Sequence, residues 1–278
     1  DANKVKYVVE LIQDISFTSN KYDVLGDFFE KIVRREIKET KGQFLTHYNI
    51  VSFIVKAIQV EELSIELLNG KDGRPRLPYI IDPSCGSGTF LIRCMKAITD
   101  RIRHEYKNGN KLSKSDDTLE AIDDYFLGRN KNKWAKDFIY GIEINNDLAM
   151  ATKVNMVGHG DGSANIFAED GLIDFEKYRK GKLLNIKKKN NVYEKFVNEQ
   201  FDVVISNPPF SITVDKETAK QLPNLFLQGK RIEKSLKSIQ KKEVDTELLF
   251  LERYYQLLRP NGRLGVVLPE SVFDSTSV

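Results

Sequence analysis

The sequence predicts an α/β fold in which a doubly wound, mostly parallel sheet follows a helical N-terminal segment. Apolar positions recur at helical spacing through residues 5–60. From residue 79 onward, short apolar runs alternate with helical stretches. Such alternation is typical of βαβ units and therefore of a parallel sheet. A length of 278 residues is sufficient for one large domain of this kind with an added element.

The helical segment is predicted to cover residues 1–60, and the α/β domain residues 61–278. Three amphipathic stretches define the first part: YVVELIQDI, YDVLGDFFEKIVRREIK and NIVSFIVKAI. They are interrupted at KGQFLT, where Gly42 indicates a loop.

Five apolar runs in the second part are predicted strands: YIID, FIYGIEI, NIFAED, FDVVISN and RLGVVLP. Helices are expected at about 89–105, 146–157 and 246–258, and RPNG supplies a turn into the last strand. Residues 106–137 are predicted to be a polar insertion with one short helix, and 176–198 a basic, weakly patterned one. Because the chain starts at Asp1 and stops in SVFDSTSV, we expect a piece of a longer polypeptide whose final strands are missing.

Composition and charge give weak evidence about the binding partners and the cellular compartment of the protein. A net charge of +3 gives no global argument for nucleic acid. Residues 177–191 hold seven Lys or Arg and no acid, and residues 211–246 hold eight bases and five acids; such runs are solvated loops or phosphate-contacting surfaces. Cys85 and Cys94 form neither a CxxC pair nor a disulfide framework, which favours a reducing cytoplasm. We expect no membrane span, no signal peptide and no metal site, since the three histidines are scattered.

Four polar residues follow apolar runs at the same relative position. They are Asp82, Glu143, Asp170 and Asn207. A single acid after a strand is usually a helix cap or a solvated turn. Because the carboxyl ends of parallel strands share one edge, where ligands bind, four such residues indicate a ligand site there.

The first of these strands continues into DPSCGSGTFLI. Gly86 and Gly88 allow a tight turn and close approach of a ligand to the backbone. No GK[ST] follows, so this is no P-loop, and Leu91 stands where a dinucleotide fingerprint has Gly. An acid after the second strand can hold ribose hydroxyls, and the acid after the third can accept from a purine amino group. The pattern therefore predicts a site for a nucleoside with a small charged tail.

The fourth strand ends in FDVVISNPPF. Pro208 and Pro209 forbid both a continued ladder and an immediate helix, so the chain stops at Asn207. On its own, Asn-Pro indicates a turn, and a single Phe such as Phe210 is usually a core residue. Beside the other polar strand ends, the pair indicates more than a simple turn.

Taken in order, the motifs GQFLT, DPSCGSGTFL, GIEI, AEDG, NPPF and GRLGVVLPESVF resemble the amino-methyltransferase family that modifies adenine N6 in DNA. The resemblance covers about residues 22–273. It is strongest to the modification subunits of type I restriction systems and their fused restriction-methylation relatives. It implies a Rossmann-like fold, S-adenosyl-L-methionine as cofactor and double-stranded DNA as substrate. It also implies specificity and restriction subunits, or a fused recognition domain, as partners.

The resemblance implies a role for each motif residue. Gln43, Phe44 and Thr46 close over the methionine end of the cofactor, in a motif where the family usually has Pro and this chain has His47. The remaining cofactor-binding residues implied are Asp82, Pro83, Cys85, Gly86, Gly88, Glu143, Ile144, Asp170, Gly171 and Asn207. The catalytic residues implied are Asn207, Pro208, Pro209 and Phe210.

Two other hypotheses stay open at this stage. Asn-Pro-Pro also serves planar amides, so a protein-glutamine or RNA amino-methyltransferase is an alternative, although those relatives more often end the motif in Tyr than in Phe. The other is a non-catalytic, cofactor-binding assembly subunit. The presence of all four polar strand ends speaks against lost activity. For Cys85, no partner base is evident, so we expect packing beside the glycines rather than nucleophilic chemistry.

Overall fold

The computed structural model describes residues 46–126, 132–160, 165–173, 199–210, 214, 220 and 246–274. Eight helices and five strands are assigned within these ranges. In chain order they are α1 (Tyr48–Ala57), α2 (Val60–Leu68), β1 (Ile80–Asp82), α3 (Thr89–Asn108), α4 (Asp116–Phe126), α5 (Ala135–Phe138), β2 (Ile139–Glu143), α6 (Asn146–Gly158), β3 (Asn165–Ala168), β4 (Phe201–Ser206), α7 (Thr246–Leu257), β5 (Leu258–Val266) and α8 (Ser271–Asp274).

The five strands form one sheet in the order β3-β2-β1-β4-β5, and every pair is parallel. Ile80 of β1 lies opposite Ile139 of β2 on one side and Val203 of β4 on the other. The chain therefore winds outward from β1 in both directions, and the topological switch point lies between the carboxyl ends of β1 and β4. The predicted α/β class and all five predicted strands are confirmed.

Helices cover both faces of the sheet. Alternate strand residues point to opposite faces, and the two buried clusters follow that alternation: Ile80 belongs to one and Ile81 to the other. The first cluster includes side chains of α1, α2, α3, α4 and α6. The second is closed by α7 through Leu249, Phe250, Tyr254 and Leu257. Burial on both faces is the reason why the strands read as continuous apolar runs.

The described start of the chain matches the third predicted helix. Helix α1 covers NIVSFIVKAI almost completely, and its N-cap is His47, whose Nδ1 accepts from Asn49 N at 3.3 Å. The residue that replaces the family's usual Pro thus caps a helix. Gln59 has a φ of +52° and separates α1 from α2. The two earlier predicted helices and the residues Gln43 and Phe44 lie outside the described part of the chain.

Two features of the second part differ from expectation. The stretch 106–137, predicted to be polar with one short helix, holds both α4 and α5, and Ile122, Phe126 and Trp134 from it are buried in the core. Ile122 and Phe126 lie four positions apart, a helical spacing that the many polar residues around them obscured, whereas the single Trp134 belongs to no such pattern. The RPNG turn lies within β5 rather than before it: Phe201 pairs with Leu258 but Val203 with Arg263, a bulge in which Asn261 has a φ of +63°.

No helix in the described ranges combines the length and the apolar character needed to cross a membrane. The same ranges contain no group of three or more His, Cys, Asp or Glu side chains placed to hold a metal ion.

Candidate active site

The four polar strand ends lie along one edge of the sheet. Asp82 and Glu143 are the last residues of β1 and β2, Asp170 follows β3 by two residues, and Asn207 directly follows β4. Because these strands are adjacent and parallel, the side chains run across the edge in the order 170, 143, 82, 207. The predicted convergence is confirmed, while the chemical role of each residue stays a prediction.

The turn after β1 leaves one stretch of backbone open. Gly86 has a φ of +52°, and a Cβ built there would meet nothing within 4 Å. Gly88 has a φ of +80°, and its Cβ would come within 2.7 Å of Thr152 Cγ2. Gly88 is therefore required by packing against α6, whereas Gly86 needs the left-handed conformation and presents bare backbone to the space beside it. A cofactor that lies close to this turn fits the residues present.

Helix α6 holds the turn from behind. Thr152 Oγ1 donates to the Gly86 carbonyl, and Asn155 Nδ2 donates to the Ser87 carbonyl at 3.3 Å. On the other side, Cys85 N donates to the carbonyl of Ile142 at 2.8 Å, which ties the turn to β2. Thr152 and Asn155 were not among the site residues predicted from the sequence. Their spacing of three, on one face of a helix, is the signal that could have found them.

Glu143 is buried and fixed by backbone donors. Gly86 N donates to Oε2 at 3.0 Å and Asn145 N donates to Oε1 at 2.9 Å. Burial raises the pKa of this carboxyl, against the lowering effect of those two hydrogen bonds. A carboxylate oxygen can accept more than one hydrogen bond, so both oxygens keep capacity for hydroxyl groups of a ligand. The neighbouring Ile144 is 64% exposed, and its apolar side chain can cover a flat ring.

Asp82 is 1% exposed. It accepts from Ser206 Oγ at 2.5 Å and from Ser84 N at 3.0 Å, both through Oδ1. The pKa of this carboxyl is raised from 3.8 to about 7: burial has the largest effect, the hydrogen bonds from Ser206 and Ser84 oppose it, and the nearby Glu143 carboxylate adds to it. Its partners in the described part of the chain are thus neutral donors.

The remaining residues of the turn serve packing. Cys85 is buried, and a Cβ at Gly141 would come within 2.9 Å of its Sγ, so the thiol fills the hollow over that glycine. Burial raises the pKa of the Cys85 thiol well above its ordinary value, which opposes a nucleophilic role. A Cβ at Gly171 would overlap the Pro83 carbonyl oxygen, so the loop after β3 rests directly on the first turn. The expected packing role of Cys85 is confirmed, and both cysteines are free thiols.

The segment Asn207–Pro209 is held at three points. Asn207 Nδ2 donates to Thr46 Oγ1 at 2.9 Å, and the Asn207 carbonyl accepts from Ser84 Oγ at 3.3 Å. Two residues on, the Pro209 carbonyl accepts from Thr246 Oγ1 at 3.1 Å at the start of α7. Thr46, predicted at the methionine end of the cofactor, lies against the Asn207 amide. Serine at position 84 gave no signal in the sequence, because Ser is common in turns.

Phe210 and Asp170 are half-buried, whereas Pro208 is buried. Asp170 accepts a hydrogen bond from Leu172 N at 2.9 Å. The structure therefore brings Thr46, Asp82 and Asn207 together at the switch point, with Glu143 and Asp170 further along the same edge. It leaves Gln43 and Phe44 undescribed.

The parallel 3-2-1-4-5 sheet, with a glycine turn after its first strand and an acid at the end of its second, defines the Rossmann-like fold of S-adenosylmethionine-dependent methyltransferases. The chain belongs to the N-6 DNA Methylase family, whose sequence model matches residues 20–278. The family implies S-adenosyl-L-methionine as the methyl donor, and the open backbone at Gly86 fits that group.

Curated relatives come from restriction systems. The chain is 27% identical to a type II restriction enzyme and methyltransferase of Escherichia coli, over 91% of this chain and 27% of that protein. It is 24% identical to a methylase subunit of a type I restriction enzyme of the same organism, over 99% of this chain and 42% of that protein. The chain thus spans less than half the length of these relatives.

Solved structures share the fold. A type I restriction-modification methyltransferase subunit from Streptococcus thermophilus superposes with a TM-score of 0.52 at 17% identity, covering 97% of this chain and 44% of that one. The DrdV protein in complex with DNA superposes with a TM-score of 0.54 at 18% identity, covering 99% and 26%.

Proposed function

We propose that this chain is the catalytic core of a DNA methyltransferase of a restriction-modification system. It transfers a methyl group from S-adenosyl-L-methionine to N6 of an adenine turned out of the duplex. The observation that carries the proposal is the closeness of two half-sites. Ser84, two residues before the open Gly86, has its Oγ 3.3 Å from the carbonyl of Asn207. Membership of the N-6 DNA Methylase family supports the same reaction.

The Asn207 half binds and orients the base. The exocyclic amine of adenine is a poor nucleophile because its lone pair is delocalised into the ring. Asn207 Oδ1 and the Pro208 carbonyl accept its two hydrogens, which favours a pyramidal nitrogen with its lone pair directed away from the protein acceptors. The bond from Nδ2 to Thr46 turns the donor end of the amide away from the base. Orientation of this kind can supply about 7 to 11 kcal/mol.

The turn and β2 form the cofactor half. When bound, S-adenosyl-L-methionine supplies an electrophilic methyl group on a sulfonium. Gly86 gives close backbone approach in a turn that Gly88 completes against α6, Glu143 holds the ribose hydroxyls, and Ile144 covers the ring. Asp170 and Gly171 complete the adenine end, and Asp82 and Pro83 shape the floor. Gln43, Phe44 and Thr46 close over the methionine end.

The target base has to leave the duplex, since a paired base cannot reach Asn207 at the strand end. Phe210 stacks on the extruded ring, which contributes about 1–3 kcal/mol and offsets the few kcal/mol of unstacking. The basic stretch 211–246 follows the motif directly along the chain, and its Lys and Arg side chains supply charge that can bind phosphates; most of it lies outside the described residues.

The partners follow from the relatives. Matches to a type I methylase subunit and to a fused type II enzyme support double-stranded DNA as substrate. They also support either a specificity subunit, with a restriction subunit, or a recognition domain in the same polypeptide. Two buried free thiols favour a reducing cytoplasm as the place of action.

The test is Asn207→Ala in the intact protein with its natural subunits or domains. We expect methyl transfer to DNA to fall about 100- to 1000-fold, while calorimetry finds cofactor binding within threefold of wild type. The matched control is Asn110→Ala. That residue lies just past the C-terminal end of the 20-residue α3, about 30 Å along the helix from the site, and its variant should methylate normally.

The product distinguishes the alternatives. N6-methyladenine in DNA supports the proposal, measured by nucleoside mass spectrometry of DNA from expressing cells. If the wild type instead methylates glutamine in protein, or RNA, that molecule and not DNA is the substrate. Cofactor binding without any transfer in the complete assembly would favour an assembly role.

A further inference from the structure

We propose that Ser84 and Ser206 are positioning residues whose hydroxyl groups couple the cofactor turn to the Asn207 carbonyl. This inference rests on the function proposed above and deepens it. Neither serine is among the site residues predicted from the sequence, and both lie between the two half-sites.

The contacts form a continuous bridge. Ser206 Oγ donates to Asp82 Oδ1 at 2.5 Å, and Ser84 Oγ lies 2.7 Å from Ser206 Oγ. Since the hydrogen of Ser206 is used by Asp82, Ser84 is the donor in the second contact, and it shares its hydrogen with the Asn207 carbonyl at 3.3 Å. Ser84 N also donates to Asp82 at 3.0 Å. Asp82 Oδ1 thus accepts a hydrogen bond from each serine, from the side chain of Ser206 and from the backbone of Ser84.

The Ser206–Asp82 end of the bridge is shielded from solvent, and Ser84 is half-buried. Ser206 is 0% exposed and Asp82 is 1% exposed. Tyr254 of α7 is also buried, and its Oη faces the hydroxyl groups of Ser206 and Ser84. Burial raises the pKa of this phenol, so it stays a neutral group. A buried polar network fixes one arrangement strongly, because every alternative leaves a group unpaired.

The bridge also crosses the switch point. Strands β1 and β4 are hydrogen-bonded neighbours, and their paired register runs up to Ile81 and Val204. The serine hydroxyls are side-chain contacts that continue the connection past the last ladder bond. The relative placement of the turn at Gly86 and the acceptors at Asn207 therefore depends on them. A displacement of about 1 Å can cost about 100-fold in rate.

The experiment uses Ser84→Ala, Ser206→Ala, the double variant and Ser84→Thr in the intact protein. We expect each Ala variant to lower kcat for DNA methylation 10- to 100-fold, with the Kd for S-adenosyl-L-methionine within threefold of wild type. Because the hydroxyls act as one unit, the double variant should be no slower than the slower single variant. Ser84→Thr keeps the hydroxyl and should retain at least half of the wild-type kcat.

Ser64→Ala is the matched control. Ser64 is equally buried, and its Oγ donates to the Glu61 carbonyl at 2.6 Å, in α2 and away from the site. It should lose stability without losing kcat, as judged by thermal unfolding. Folded Ala variants with kcat within threefold of wild type would overturn the proposal, as would a loss confined to cofactor affinity or a Ser84→Thr variant as slow as Ser84→Ala.

Hydrogen exchange separates this inference from the proposed function. If the wild type methylates no DNA, the proposed function is wrong. The positioning role of Ser84 and Ser206 is then tested by the protection of backbone amides from hydrogen exchange. Coupling predicts that Ser206→Ala loosens peptides containing 84–88 and 207–210 together, while Ser64→Ala loosens neither. Loosening of the 207–210 peptides alone would contradict the bridge.

Discussion

Two buried aspartates near the centre of the sheet have opposite surroundings. Asp202 lies at the amino end of β4 with a side chain 0% exposed, and two guanidinium groups surround it. Asp82 lies at the carboxyl end of β1, equally buried, and its partners are hydroxyl and backbone N–H groups. The difference teaches that a buried acid whose task is structural is neutralised by cations, whereas the acid at the site is left to neutral donors.

The Asp202 cluster is a closed ion-pair network. Arg76 donates to both carboxylate oxygens, at 2.6 and 3.0 Å, and Tyr79 N donates to Oδ2 at 2.7 Å. Arg259 Nε lies 2.6 Å from Oδ1 and contributes an ion pair. The half-exposed Asp72 joins the same two arginines, and its hydrogen bond from Arg259 holds the pKa of that carboxyl below its usual range. The cluster ties the segment before β1, the start of β4 and the bulge of β5 together.

The largest effect is expected from Asp202→Ala. Removal of the buried acid leaves two guanidinium groups facing each other, which costs about 3 kcal/mol or more of unfolding free energy. The control Asp72→Ala removes an acid from the same arginines at a half-exposed position and should cost about 1 kcal/mol or less. Chemical denaturation at pH 7 measures both. Equal losses of unfolding free energy in the two variants would contradict the distinction between the buried Asp202 and the half-exposed Asp72. In both variants the Kd for the cofactor should stay within threefold of wild type.

Asp82→Asn is expected to change how stability depends on pH. The folded-state pKa of Asp82 is raised to about 7, so its stabilising contribution is complete below pH 4 and is lost as pH rises through 7. Between pH 5 and pH 8 the wild type should lose on the order of 3 kcal/mol relative to Asp82→Asn, which carries no titrating group. Denaturation curves at several pH values measure this difference. If the unfolding free energies of the two proteins depend on pH in the same way, the pKa of Asp82 is not raised in the folded state.

The smallest effect is expected from Glu143→Gln, which sharpens the comparison within the site edge. Both oxygens of Glu143 accept hydrogen bonds from backbone N–H groups, of Gly86 and of Asn145. In the Gln variant one of these oxygens is replaced by an NH2 group, which faces a backbone N–H donor without bonding to it and can no longer accept from a ribose hydroxyl. Cofactor affinity should fall about 10-fold, equivalent to about 1.4 kcal/mol. Glu105→Gln is the control, since Glu105 is as buried but lies near the other end of α3. Calorimetry should find an unchanged Kd for the control, and equal losses in both variants would assign the effect to general destabilisation.

Much of the fold was readable because its signals are local. The strands FIYGIEI and FDVVISN are apolar runs bounded by polar residues, and the observed β2 and β4 lie within them. Position along the chain also placed Asp82, Glu143 and Asn207 at strand ends. The burial of Trp134, inside a stretch that reads as polar, was not readable, since nothing local marks a single aromatic residue as core.

The amino-acid sequence alone determined the α/β class, the identity of the acids and amide at the strand ends, and the need for glycine where backbone must turn or stay open. These properties depend on periodicity, on residue chemistry and on φ, all of which act over a few positions. Tertiary structure alone decided which strand is central, that Ser84 meets Ser206 across 122 positions, and that Arg76 rather than a serine faces Asp202 across 126. Such pairings depend on the order of strands in the sheet, and serine or arginine has the same local preferences whether its partner is near or absent.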